Sequence, residues 1–414
     1  TNNLEGSCNI SSTLSATHNG RFSSNNLNKI FNITTGGTFN YAPSSVIEGN
    51  VHFTGGIHNI NSQYNAVRTH ISTQVNFLQP EVNFNAEVVQ DGGEFSGPAI
   101  KKINSSYAWW AGTLSGAALQ IAVNAFGHFG VGQTSLGTLA GTIVNNGTIN
   151  LVTGYGGCCV GPIFNMTNGT IENNGQFIFS PTGGGGIYNE TLSGGTFNNN
   201  VNGTLINNQT TGGGYGDNEI YLRNNVFTNT GTILSNAKSL NIFPTTNPIL
   251  NGTITTAAGC MTKLGTSTTT TTLSPSSIIN GAGTIYFTEG NHQVNSNNYN
   301  PGATLSGMAF SAAFVDFNQA HVDLNYVNII SGRFGGPATK LVKDDLFVGN
   351  AVEITGGAIS NTDTGYIGFS STTFLKTSLT NNGSMGIYPY YQGCCGAGSF
   401  NMTNGGTLIN NKNI

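Results

Sequence analysis

The chain has 414 residues and a formal net charge of −4, and only 7% of its residues are charged, against about a quarter in typical globular domains. Thirteen Lys and Arg leave no basic field for a nucleic-acid backbone. No apolar run near the ~20 residues of a membrane helix exists, since the nearest, 117–129, is broken by Gln120, Asn124 and His128.

The composition also argues against disorder, because 24 Phe and 14 Tyr stand against 11 Pro and disordered chains are poor in aromatics. The chain should fold with a surface of amides and hydroxyls. Its opening, TNNLEGS, lacks the charged and apolar regions of a signal peptide and is read as the start of a mature secreted protein. The Asn- and Thr-rich, lysine-poor composition points the same way, to an extracellular or cell-surface location. No CxxC spacing occurs and the histidines are scattered, so neither a metal nor another cofactor is expected.

In chain order, Cys8 comes first, then PSSVIEGNVHFTGGIHNINSQYN from Pro43 and EFSGPAIKK from Glu94. Tyr107, Trp109 and Trp110 in SSYAWWAG hold both tryptophans of the protein. Exposed, they would stack on sugar rings or meet another subunit; otherwise they pack beneath a loop.

From Gly141 a phrase recurs: GTIVNNGTI, then GTIENNGQF from Gly169, GTFNNNVNGTL from Gly195 and NVFTNTGTI from Asn225. Its second glycine falls at Gly147, Gly175, Gly203 and Gly231, a step of 28. Each phrase contains short alternating apolar runs separated by Asn-Gly turns, which read as strands of three to five residues. Helical periodicity is missing. The spacing therefore predicts an all-β chain, a parallel β-helix (β-solenoid) with coils of about 28 residues. A lone coil cannot bury its apolar face, whereas stacked coils make a continuous column. Asn at recurring turns would then form amide ladders from coil to coil. The alternative, a set of β-sandwiches, lacks a reason for a fixed long phrase.

YGGCCVGPIFNMTNGTIENNG from Tyr155 holds Cys158 and Cys159, and YQGCCGAGSFNMTNGGTLINN from Tyr391 holds Cys394 and Cys395. PSSIINGAGTIYFTEGNHQVNSNNYN from Pro275 repeats the Pro43 block, and RFGGPATKL from Arg333 repeats the Glu94 block. These three matches, at shifts of 236, 232 and 239, imply a tandem duplication. Copy one occupies 1–240 and a truncated copy two 241–414.

Cys260 completes the six cysteines. Adjacent cysteines either lock their own turn in a strained disulfide ring or reach separate partners. The first and last residues read as ordinary coil phrases, so head-to-tail addition of copies is expected. Cys8 of one copy would then meet Cys394 or Cys395 of the next. Thr268–Thr272 is read as a solvated loop, and the Asn-x-Ser/Thr sequons, such as Asn146, Asn168 and Asn202, permit glycosylation without predicting it.

Galacturonan hydrolases of the β-helix fold carry an NTD triplet, an aspartate pair, GHG and RIK. Here Asn361, Thr362 and Asp363 spell NTD, but Asp344 and Asp345 precede it rather than follow, and GHG and RIK are missing. No catalytic residues are assigned on this pattern. The recurring NNGT and GGTF phrases resemble the secreted β-helical repeat proteins of bacterial surfaces, the haemagglutinin and adhesin-like class. The resemblance is architectural and implies a role at the cell surface or in the matrix. The expected function is a non-enzymatic filament subunit that assembles with copies of itself. An adhesin segment binding glycans is the alternative, and a polysaccharide-active enzyme the more distant one.

Overall fold

The computed structural model describes residues 8–23, 29–131, 137–153, 163–180, 189–208, 219–301, 308–349, 351–370, 372–387, 400–402 and 405–412. Among these residues all regular structure is β-strand, every strand pairing is parallel, and no helix occurs. The chain forms two compact units, Thr1–Asn218 and Glu219–Ile414. Each is a parallel β-solenoid, and the described residues make about 16 turns.

Alternation explains why these residues stack. In Thr142–Asn145, Thr170–Asn173 and Thr196–Asn199 every second side chain is buried, and the three strands pair in register. Ile143, Ile171 and Phe197 are fully buried on top of one another. The outward positions carry Thr, Val, Glu and Asn. Period-two side chains leave no other arrangement that hides the apolar set.

The coil length differs from expectation. Thr142 faces Thr170 and Thr148 faces Gln176, each a step of 28. Elsewhere Thr38 faces Ile57, a step of 19, Ile57 faces Gln74, a step of 17, and Met308 faces Val327, a step of 19. A turn averages about 21 residues. Register is set by the buried residues of each strand, while residues at the corners add to the coil without disturbing the stack. The repeated phrase therefore reports long coils rather than the common one.

Several strands are also longer than five residues. Val46–Thr54 and Glu87–Ser96 pair along two faces in succession and break register between, at Gly49/Asn50 in the first. The threonine run is not a solvated loop: Thr270–Leu273 is a strand, with Thr269 and Thr271 buried. β-Branched threonine suits the pleated surface on either face.

The amide ladders run through the interior. Asn145 Nδ2 donates to Asn173 Oδ1 and Asn173 Nδ2 to Asn199 Oδ1, both at 2.7 Å, and all three residues are fully buried. In the second unit the fully buried Asn361 and Asn381 repeat the pattern at 2.8 Å, and Asn381 Nδ2 donates on to the exposed Asn410 Oδ1 at 2.7 Å. Identical amides one coil apart satisfy each other's donor and acceptor, which makes a buried polar column tolerable.

The two units share unusual details. Lys101 and Lys340 are fully buried. Lys101 Nζ donates to the carbonyls of Ala117 at 3.1 Å and Gly97 at 3.4 Å, and Lys340 Nζ to those of Ala338 at 3.0 Å and Gly336 at 3.1 Å. Gly97 and Gly336 precede proline, have φ of 96° and 83°, and lie so close to the carbonyls of Phe77 and Phe317 that a Cβ would overlap them. His58 and His292 are likewise both buried, with Nε2 3.1 Å from the carbonyls of Gly55 and Thr288.

Candidate functional site

The aromatic cluster lies on the strand Ser106–Leu114. Tyr107 and Trp109, one period apart, face the core and are 0% and 2% exposed. Trp109 packs edge-on against Phe129 and Phe164, with ring centroids 5.4 and 5.2 Å away, and its Nε1 donates to the Ala111 carbonyl. Tyr107 Oη donates to the buried Gln90 Oε1 at 2.6 Å. Neither offers a surface to a glycan or another subunit, which corrects that part of the expectation. Strand alternation is the reason. Trp110 points outward, 43% exposed, across Gly130, where a Cβ would overlap its ring, and beside His128.

Cys8 lies in the strand Cys8–Ser12 and Cys260 just before Met261–Leu264; both are free thiols of intermediate exposure. Burial pushes the Cys260 thiol up. Cys158, Cys159, Cys394 and Cys395 lie outside the described residues.

Two arrangements have the look of catalytic sets. In the NTD triplet, Asn361 is fully buried and its amide is engaged by Asn381 and the Gly365 carbonyl, while Thr362 donates to the Lys343 carbonyl and Asp363 is exposed. The triplet therefore splits between ladder and surface.

The second arrangement spans three coils. His52 and His70 occupy facing register positions, their rings stacked at 3.9 Å and 4°. His52 Nε2 lies 2.8 Å from Ser72 Oγ, Ser72 Oγ donates to Asp91 Oδ1 at 2.7 Å, and His70 Nε2 lies 2.7 Å from Asp91 Oδ2. A serine hydroxyl has one proton. It goes to Asp91, so the proton between Ser72 and His52 belongs to His52 Nε2. The imidazole thus donates to the serine and is not placed to take its proton as a general base would. Burial, and then the neighbouring His70, hold His52 below its ordinary pKa. Burial tends to raise the Asp91 carboxyl, but hydrogen bonds from Ser72 and His70 outweigh it and keep the pKa low.

A third arrangement, which sequence reasoning did not find, is a cleft of about 400 Å³ in the second unit, lined by Ser296–Asn300 together with Gln319, His321, Asp323 and Lys343. His321 and Asp323 project from the strand His321–Leu324, the first of a five-stranded parallel ladder. Lys343 follows Thr339–Val342, the next strand in that ladder. Asp323 Oδ1 lies 2.8 Å from His321 Nε2, and Oδ2 lies 2.7 Å from Lys343 Nζ. The hydrogen bond from Lys343, and then that from His321, hold the Asp323 carboxyl below its usual range. Gln319 is only 8% exposed, and neither its Nε2 nor its Oε1 meets a hydrogen-bond partner among the described residues.

One signal in the sequence leads to this place. VNFLQPEVNF from Val75 and VDFNQAHVDL from Val315 match at a step of 240. The match pairs Gln79 with Gln319, Glu81 with His321 and Asn83 with Asp323, and the GPAIKKIN and GPATKLVK runs pair Asn104 with Lys343. Where the first unit has Asn104 Nδ2 donating to Asn85 Oδ1 at 2.8 Å and reaching Asn83 Oδ1 at 3.5 Å, the second has the Lys343–Asp323 ion pair. Gln79 Nε2 donates to the Ser62 carbonyl at 3.4 Å, a bond that Gln319 lacks.

Comparison with protein-family models, curated proteins and solved structures finds no match to this chain.

Proposed function

We propose that the chain is a non-enzymatic structural protein of an extracellular fibre, in which copies join by stacking coil on coil. The observation that carries this reading is the buried asparagine ladder from Asn145 through Asn173 to Asn199. A coil recognises its neighbour by parallel strand pairing and by identical amides in line, and a coil of a second copy offers the same groups. The engagement of Asn361 in a ladder and of Ser72 as a donor to Asp91 supports the non-enzymatic side. The lysine-poor, amide-rich composition supports a place outside the cell and the likeness to bacterial surface repeat proteins. Tandem duplication, with later divergence of the second copy, accounts for the paired lysine cages and paired buried histidines.

Electron microscopy of the purified protein over a range of concentrations tests the fibre. Unbranched filaments of constant width are expected; isolated particles of single-chain mass at every concentration would refute it.

A second reading, glycan adhesion, is favoured by Trp110, whose ring is exposed over Gly130 as a flat platform. Glycan-array binding that is lost in Trp110→Ala, with folding unchanged, is its expected signature.

A further inference from the structure

We propose that the cleft beside His321, Asp323 and Lys343 binds a neutral saccharide. The proposal does not rest on fibre assembly.

The concavity, about 400 Å³, falls within the ~300–1,000 Å³ of small-ligand sites. Its chemistry is a buried amide that lacks partners, surrounded by exposed polar groups. Gln319 carries one donor group and one acceptor, and both are unsatisfied among the described residues. Leaving such a group unpaired is costly, so a ligand toward which Gln319 turns its amide, now shielded from solvent, gains those bonds. Adjacent sugar hydroxyls each donate and accept, and so answer both needs at once.

The rest of the lining selects for neutrality. The carboxylate of Asp323 is already neutralised by Lys343 at 2.7 Å and accepts from His321 at 2.8 Å. The carboxylate and the ammonium thus compensate each other and leave no excess charge there to favour an acidic or a basic ligand. Asp323 keeps lone pairs and Lys343 keeps protons for further hydrogen bonds. Asn298 and Asn300, both exposed on the opposite lining segment, add amides.

The matching place in the first unit serves as an internal control. There Gln79 donates to Ser62, and Asn83 and Asn104 stand where the second unit has the ion pair. The first unit carries its ion pair at other positions, Glu81 with Lys102 at 2.7 Å, and Gln79 Oε1 also lacks a partner among the described residues, so the two places differ in where the charges stand and in whether the glutamine donor is satisfied.

The test is a calorimetric and NMR titration of the full chain with glucose, galactose, N-acetylglucosamine and cellobiose, and with galacturonate as the anionic probe. Saturable binding of at least one neutral sugar is expected, with Kd near or below about 1 mM. Gln319→Ala should weaken it roughly tenfold, and Gln79→Ala should leave it unchanged. Gln319→Glu, which keeps the side-chain shape and removes the donor, guards against a folding artefact, with thermal melts run on every variant. Three results would overturn the proposal: no saturable binding of any neutral sugar up to about 50 mM, undiminished binding in folded Gln319 variants, or a preference for galacturonate that Lys343→Gln abolishes. The last would make the cleft an anion site.

Discussion

Lys340 stands over the ring of Phe334, its ammonium 5.4 Å from the centroid, and Lys101 stands over Phe95 in the same way at 5.5 Å. Both ammonium groups are otherwise held by backbone carbonyls. A cation buried without a carboxylate partner is tolerable only because those oxygens and the ring face replace its water.

This arrangement has a pH signature. Burial lowers both lysines to about 8 from 10.5; for Lys340 a nearby Asp316 opposes the effect. Between these values the unfolded chain binds more protons than the folded one, so stability rises with pH across the window. From pH 8 to about 9.5 each lysine should add up to about 2 kcal/mol. Urea unfolding of the wild type and Lys101→Met at the two pH values isolates one share, because the other titrating groups cancel in the difference. An equal slope in both proteins would show that the folded-state shift is absent.

The buried histidines act in the acid range. Burial brings His58 and His292 to about 4 despite opposing backbone hydrogen bonds. The folded state resists protonation that the unfolded state accepts, so stability is lost as pH falls from about 6.5 to 4, by up to about 3 kcal/mol for each histidine. His292→Phe should lessen the loss between pH 7 and 4.5, measured as the shift in urea midpoint.

Asn173 lies inside a fully buried ladder, whereas Asn174 belongs to a more exposed one with Asn146 and Asn200. Asn173→Ala removes the bond that Asn145 Nδ2 donates and the one that Asn199 Oδ1 accepts, and should cost about 1–3 kcal/mol. Asn174→Ala should cost less than about 1 kcal/mol, because water replaces the lost bonds. Chemical denaturation of the two variants tests the contrast.

Glycines with positive φ are not equivalent. Gly97 has φ of 96° with the Phe77 carbonyl against the Cβ position, while Gly259 has φ of 74° with nothing within 4 Å. Gly259→Ala should cost about 1 kcal/mol from backbone strain alone. Gly97→Ala should cost well over about 2 kcal/mol and open the corner beside Lys101, read as a lower melting temperature and faster amide exchange there.

The alternation that makes Tyr107 and Trp109 core residues and Trp110 a surface residue is legible in SSYAWWAG, because neighbours along a strand point to opposite faces. The step of 28 was legible but belonged to one region. Elsewhere the shorter coils carry no common phrase, because only buried positions must align while corner residues vary. The lysine cages were hidden for another reason. Their partners are carbonyls and ring faces, which leave no motif in side-chain identity.

Sequence by itself determined that this chain is a β-solenoid with amide ladders, since period-two apolar runs, Asn-Gly turns and the absence of helical spacing admit little else. Which residues stand next to one another was decided only by the tertiary structure. Neighbours in a solenoid come from adjacent coils, and the number of residues per coil changes along the chain. Asp323 and Lys343 are 20 positions apart and meet because this coil takes that course. Their counterparts Asn83 and Asn104, 21 apart, lie 3.5 Å apart in the same frame and carry no charge.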